Sequence, residues 1–115
     1  MAYSTINKSS LYQNNVLYTG TGSGGSDRQI TGVGFQPDFV WIKNRISSSQ
    51  EHVVVDAVRG ATKSLATELS DGEVTNDIFV GAFIADGFQL GSGSVANRVN
   101  GSGEGHVGWN WKANG

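Results

Sequence analysis

His52 and His106 are the two candidate general bases in this sequence, which also contains many serines that offer hydroxyl nucleophiles. In an extended chain His52 and Asp56 face the same side, but at a rise of ~3.3 Å per residue their Cα atoms lie roughly 13 Å apart. The two side chains therefore cannot hydrogen-bond to each other. Because no nucleophile-elbow sequence is present either, we expect no catalytic residues. A small hydrolase that depends on His52 or His106 is the enzymatic alternative.

Metal and cofactor chemistry lacks a basis in the sequence. There is no cysteine and no H-E-x-x-H segment, whereas zinc sites need several His, Cys or carboxylate ligands. Two G-x-G-x-x-G matches occur, at Gly20, Gly22, Gly25 and at Gly103, Gly105, Gly108. Such a segment binds a pyrophosphate where a helix follows it, and neither match precedes a helical pattern. We interpret both as surface loops and expect no cofactor and no metal.

Two tryptophans near the C-terminus allow either a structural or a binding role. Trp109 and Trp111 are two residues apart in a predicted strand, so they share one face with Val107. A domain of this size has few other large residues, and each Trp buries on the order of 150–250 Å². We therefore predict that both rings fill the core together with Trp41 and Phe39. The alternative is a flat stacking platform for a sugar or a partner chain.

Composition and charge exclude several classes of partner. The 115 residues include 17 glycines and one proline, and 8 basic against 10 acidic residues give a net charge of −2. No stretch clusters basic residues, so a nucleic-acid surface is not expected. No segment approaches the ~18 apolar residues of a membrane span. We expect neither nucleic acid nor a membrane as partner.

The elements that must position these residues are short strands separated by turn residues. The predicted strands are 16–19, 30–33, 39–44, 52–58, 78–84, 88–90 and 106–112. Residues 39–42 are apolar on both alternating faces, which predicts a central strand covered on both sides, with 52–58 as its hairpin partner. Asp86 and Gly87 are typical of a hairpin turn. Residues 57–69 fit either a short helix or a strand.

This pattern predicts an all-β fold, an antiparallel β-sandwich or jelly-roll-like domain with long glycine-rich loops. Residues 16–115 are the predicted domain. Residues 1–15 are polar, and their apolar residues are spaced too irregularly for a helix, so we predict an extended N-terminal arm. The candidate interface residues in this arm are Tyr3, Ile6, Leu11 and Tyr12.

Several segments together resemble a known family. They are YTG at 18–20, GFQPDFVWIKNR at 34–45, DAVRGATK at 56–63, DGFQLG at 86–91, NGSG at 100–103 and WNWKA at 109–113. Their order resembles a family of glycine-rich structural proteins of tailed bacteriophages, which occur as short single-domain chains and as modules of longer virion or fibre proteins. The resemblance covers nearly the whole chain, and the opening MAYSTINKSS is similar to the start of the stand-alone members.

The resemblance implies a virion component, and a chain of this size suits a capsid decoration (cement) protein on the outer capsid surface, made in the host cytoplasm. The resemblance implies the major capsid protein as partner and a homotrimer as the oligomeric state. Residues 1–15 would then contact neighbouring chains by adding a strand to a sheet edge. The alternative is a tail-fibre, spike or glycan-binding module for host recognition, with Trp109 and Trp111 stacking on sugars.

Overall fold

The computed structural model describes residues 8–22, 28–76, 78–91 and 97–113. Within these ranges the regular secondary structure is almost entirely β-strand, and the prediction of an all-β fold is confirmed. The elements in chain order are a 3-10 turn (Ser9–Leu11), β1 (Gln13–Thr19), β2 (Gln29–Ile30), β3 (Phe39–Asn44), β4 (Val53–Asp56), β5 (Gly60–Leu65), β6 (Val74–Thr75), β7 (Val80–Ile84), β8 (Gly87–Leu90), the helical turn α1 (Asn97–Asn100) and β9 (Gly105–Trp111). No helix in the described ranges is long and apolar enough to cross a membrane.

The strands form two antiparallel sheets, as predicted for a β-sandwich. The large sheet has the order β1-β9-β3-β4-β5-β6, and the small sheet has the order β2-β8-β7. The predicted β3–β4 hairpin forms, with Val40 opposite Val55. The hairpin predicted at Asp86 and Gly87 joins β7 to β8: Ala85 and Asp86 form the turn, and Gly87 pairs with Ile84. The open question about residues 57–69 is answered by β5, which is a strand because it pairs with β4 on one side and β6 on the other.

Strand β1 begins earlier than the sequence suggests. Gln13 pairs with Trp111 and the register continues without interruption to Thr19 opposite Gly105. The predicted boundary at residue 15 therefore lies inside β1, and residues 13–15 belong to the large sheet. These amide-rich residues carry a weak strand signal of their own, and their conformation comes from pairing with β9.

The core lies between the two sheets and is aliphatic apart from a few rings. Its buried members are Ile30, Val40, Ile42, Val53, Val55, Phe79, Val80, Phe88, Leu90 and Val99. Phe88 from the small sheet is fully buried and packs over β9 at Gly108, where a Cβ would lie 3.2 Å from the Phe88 ring. The absence of a side chain at Gly108 makes room for this ring.

This packing corrects two predictions. The tryptophans do not fill the core: the face of β9 that enters it carries His106, Gly108 and Asn110, all buried. Trp109 and Trp111 lie on the opposite face of the large sheet, because side chains alternate along a strand. Strand β3 is central in the sheet as predicted, but the small sheet covers only one of its two faces. We call the other side of the large sheet the outer face.

Candidate functional site

Four aromatic rings line the outer face of the large sheet. Phe39 and Trp41 come from β3, and Trp111 and Trp109 are their register partners on β9. We call these four residues the outer aromatic row. The Phe39 and Trp111 rings meet edge to face with centroids 5.2 Å apart and planes at 71°, and Trp41 meets Trp109 at 5.5 Å and 66°. Both are favourable aromatic geometries, and they give a ridged surface rather than a flat one.

Aliphatic side chains extend the outer aromatic row across the sheet. Val54 pairs with Trp41 on one side and Leu65 on the other. At the opposite edge Leu17 lies opposite Val107, and its side chain is 66% exposed. Trp111 is 36% exposed. The outer face is thus apolar along its middle and open to a partner at the β9 and β1 end.

His52 connects the outer aromatic row to a polar cleft. Its Nδ1 accepts a hydrogen bond of 2.8 Å from the indole N–H of Trp41. In the neutral ring the proton then lies on Nε2, which is 3.3 Å from a carboxylate oxygen of Glu68. The same carboxylate accepts the His52 backbone N–H at 2.9 Å. Each ring nitrogen of His52 therefore has a protein partner.

The cleft beside His52 has a volume of about 260 Å³. Its lining residues are Lys43, Ser48, Ser49, Gln50, Glu51, His52 and Glu68. The Lys43 ammonium donates to the backbone carbonyls of Asn44 at 2.8 Å and Gln50 at 3.2 Å, which anchors the β3–β4 loop. The cleft offers carboxylate, amide and hydroxyl groups next to aromatic rings.

The DAVRGATK segment forms a charged turn between β4 and β5. Asp56 accepts the Arg59 backbone N–H at 2.8 Å and its guanidinium Nε–H at 2.6 Å. Partial burial opposes ionisation, but these hydrogen bonds hold the pKa of Asp56 below its usual value. Arg59 also pairs with Glu73 at 3.2 Å. This arrangement positions the turn and involves neither histidine.

His106 lies in the core. Its Nε2 accepts the Gly101 backbone N–H at 3.0 Å, and its ring stacks on Tyr18 with centroids 5.2 Å apart. Burial lowers the pKa of His106, and the nearby Glu104 carboxylate opposes that effect only in part. The ring therefore fills space between the sheets and does not line the cleft at His52.

The predicted arm residues are described only in part. Tyr3 and Ile6 lie outside the described residues. Leu11 ends the 3-10 turn and is exposed, and Tyr12 is half-buried, with its carbonyl accepting the Lys112 N–H at 2.7 Å. The interface role predicted for these residues stays a prediction.

In the described residues, no helix directly follows either of the two G-x-G-x-x-G matches. Residues 23–25 of the first match lie outside the described ranges, and the second match enters β9, where Gly105 and Gly108 are strand residues. Across the part of the chain that the structure describes, no group of three His, Cys, Asp or Glu side chains is arranged to hold a metal ion.

A comparison with protein-family models finds one match, described as Domain of unknown function (DUF7483), over residues 8–115. The chain belongs to this family. No curated protein and no solved structure matches it. The description of the DUF7483 family states no function, so the phage resemblance remains a prediction.

Sequence reasoning missed two features of this DUF7483 chain. Glu68, in a segment that fits either a helix or a strand, is the partner of His52, and no sequence spacing relates the two residues. The Trp41–His52 hydrogen bond follows from the β3–β4 pairing. That pairing was predicted, so a cross-strand contact near His52 was within reach of the sequence.

Proposed function

We propose that this protein is a structural protein of a tailed-bacteriophage virion, a capsid decoration protein that binds the shell through its outer aromatic row. The resemblance of segments such as GFQPDFVWIKNR and DAVRGATK to structural proteins of tailed bacteriophages supports a place in the virion. The observation that carries the binding role is the placement of Phe39, Trp41, Trp109 and Trp111 on the outer face instead of in the core.

The composition of the outer face suits a protein partner. Tryptophan and other aromatic residues are enriched at the buried centres of protein interfaces, which are surrounded by polar residues. Polar residues border the outer aromatic row in this way. Lys43 lies two residues after Trp41 on the same face of β3, and Asp56 of β4 lies opposite Phe39. The edge-to-face rings form ridges, and a protein surface of complementary shape would cover them.

A second candidate is host recognition through glycan binding, as in a tail fibre or spike. Trp109 and Trp111 are on the outer face, and the polar cleft adjoins the row through His52. Sugar sites combine apolar or aromatic contacts with a few polar groups that fix orientation. The tilt of the rings argues against a flat stacking platform, so this candidate comes second.

The test is co-sedimentation of the protein with purified phage shells, with host cells and with envelope polysaccharide. We expect the protein to pellet with shells at a fixed stoichiometry. Trp111→Ala and Trp109→Ala should each weaken this binding at least about tenfold, as buried interface tryptophans do. The control is Val58→Ala, whose side chain is 97% exposed in the β4–β5 turn.

The outcomes separate the two candidates. Binding to polysaccharide, with a saturable change in Trp fluorescence, would move the function to host recognition. Shell binding that survives both tryptophan substitutions would contradict the role of the outer aromatic row. A protein that pellets with neither shells nor host material would contradict both candidates.

A further inference from the structure

Among the described strands, β1 is an edge strand of the large sheet and has a neighbour on one side only, β9. In an antiparallel ladder, alternate residues bond to the neighbouring strand and the others point their backbone groups away. Lys112 donates to the Tyr12 carbonyl at 2.7 Å, and Gly20 donates to Glu104 at 2.9 Å. Even-numbered residues of β1 therefore bond to β9. The backbone groups of four residues point outward: Gln13, Asn15, Leu17 and Thr19.

This edge lacks the features by which proteins usually discourage strand addition. Such features are short length, charge, proline and bulges. β1 has seven residues, QNNVLYT, with no charge, proline or glycine, and its register with β9 has no bulge. By contrast, the edge strands β2 and β6 have two residues each, and β7 has a register shift between Val80 and Ala82.

We propose that β1 pairs antiparallel with β1 of a second copy of this chain, around a twofold axis at Val16. This register places Gln13 opposite Thr19 of the other copy and Asn15 opposite Leu17. The backbone donors of each β1 edge then face backbone acceptors of the other copy, as an isologous interface requires. Since β1 is uncharged, an approaching copy meets no like-charge repulsion from the strand.

Contacts already made by the edge limit the number of new hydrogen bonds. The Asn15 N–H is held by Asn14 Oδ1 at 3.1 Å, and the Thr19 carbonyl accepts from Arg28 at 2.8 Å. The N–H and C=O of Leu17 make no other hydrogen bond among the described residues, so both can bond to the second copy. The exposed Leu17 side chain would then pack beside Asn15 of the other copy.

The proposal does not depend on the proposed function. It gives a dimer in which two large sheets become one continuous sheet and both outer faces remain accessible. It also replaces the homotrimer that the family resemblance led us to expect. A symmetric pairing of two β1 edges uses up both edges and cannot be extended to a third copy.

The experiment is sedimentation equilibrium of the full chain over a wide range of concentration. We expect a reversible dimer of twice the 12.1 kDa chain mass. Leu17→Lys places a charge on the paired edge and should raise the dimer dissociation constant at least about tenfold. Ile46→Lys is the matched control, because Ile46 is 67% exposed against 66% for Leu17 and lies outside β1. It should leave the dissociation constant unchanged.

A second edge variant distinguishes weaker dimerisation from misfolding of the Leu17→Lys chain. Asn15→Lys changes an exposed side chain of the same edge and should weaken the dimer like Leu17→Lys, with circular dichroism confirming that the variants fold. A wild-type chain that stays monomeric or forms a trimer would overturn the proposal. So would a dimer that neither edge variant weakens.

Discussion

Gly108 leaves room for the small sheet on one side of β9. A side chain at this position would meet the Phe88 ring and the Val16 side chain. Phe88 occupies that space, so the even-numbered residues of β9 face the core and the tryptophans face outward. His106 and Asn110 are buried as a result. Each residue is partly hydrogen-bonded: His106 Nε2 accepts the Gly101 N–H at 3.0 Å and the Asn110 side-chain amide donates to the Asn14 carbonyl at 3.1 Å. His106 Nδ1 and Asn110 Oδ1 are buried and have no hydrogen-bond partner among the described residues.

The burial of His106 predicts a pH-dependent stability. The pKa of His106 is lowered in the folded protein, so the unfolded chain takes up a proton at a higher pH than the folded chain. Stability from this group is complete above the ordinary histidine pKa of ~6.5 and falls as pH drops below it. We expect the free energy of unfolding to decrease by up to about 1.4 kcal/mol per pH unit below pH ~6.5.

Urea unfolding between pH 7.5 and 5.5 measures this effect, because the lowered carboxyl pKa values of Asp56 and Asp86 place their titration at more acidic pH. The control is His106→Gln, which keeps a hydrogen-bond acceptor but does not titrate. It should be less stable than wild type at pH 7.5 and show a smaller loss toward pH 5.5. Equal pH dependence in both proteins would contradict the assignment.

At the scale of elements, close backbone approach holds the end of β1 against the turn that precedes β9. Gly20 donates to the Glu104 carbonyl and accepts from the Gly103 N–H, both at 2.9 Å. A Cβ on Gly20 would overlap the Gly101 carbonyl oxygen. The close contact between the end of β1 and the turn before β9 therefore leaves no room for a side chain at Gly20.

We expect Gly20→Ala to lower the free energy of unfolding by about 1–3 kcal/mol, the usual cost of overpacking. Gly72→Ala is the matched control, because a Cβ on Gly72 meets no atom within 4 Å. The control should be neutral or slightly stabilising, since alanine restricts the unfolded chain. Urea denaturation of both variants gives the comparison, and equal midpoints would contradict the packing role of Gly20.

At the scale of the whole molecule, charged residues border the outer aromatic row without entering it. The net charge is only −2, and the outer aromatic row carries no charged residue. One ion pair adjoins the row, since Asp56 opposite Phe39 pairs with Arg59, and another joins Arg98 to Glu51 at 2.6 Å. Binding through the row would thus depend on buried apolar area, which is not screened by salt.

We therefore expect shell binding to change little with ionic strength. Raising the salt concentration from about 0.1 M to about 0.5 M shortens the screening length from about 10 Å to roughly 4 Å, which weakens interactions between exposed charges but does not screen apolar contact. Co-sedimentation at both concentrations, with the shells shown to remain intact, measures the apparent affinity. An affinity that falls steeply with salt would point to a charged interface and away from the outer aromatic row.

The local pattern of this sequence was enough to predict the class of fold and several pairings. Alternating apolar residues in β3 and β4 predicted their hairpin, and Asp86 with Gly87 predicted the β7–β8 turn. The start of β1 was missed, because Gln13 and its neighbours have little strand preference and depend on β9. The contact of His52 with Glu68 was missed because it joins residues that no local pattern relates.

Local sequence patterns were enough to place most of the strands and turns, since side-chain alternation and turn residues act over a few positions. They also placed Trp109 and Trp111 on one face of one strand. Only the tertiary structure decided that this face is the outer one. The small sheet brings Phe88 against Gly108, and a strand that buries one face must turn its other face outward. Which face is buried depends on the shape of the opposing sheet, and that shape is formed by residues distant in the chain.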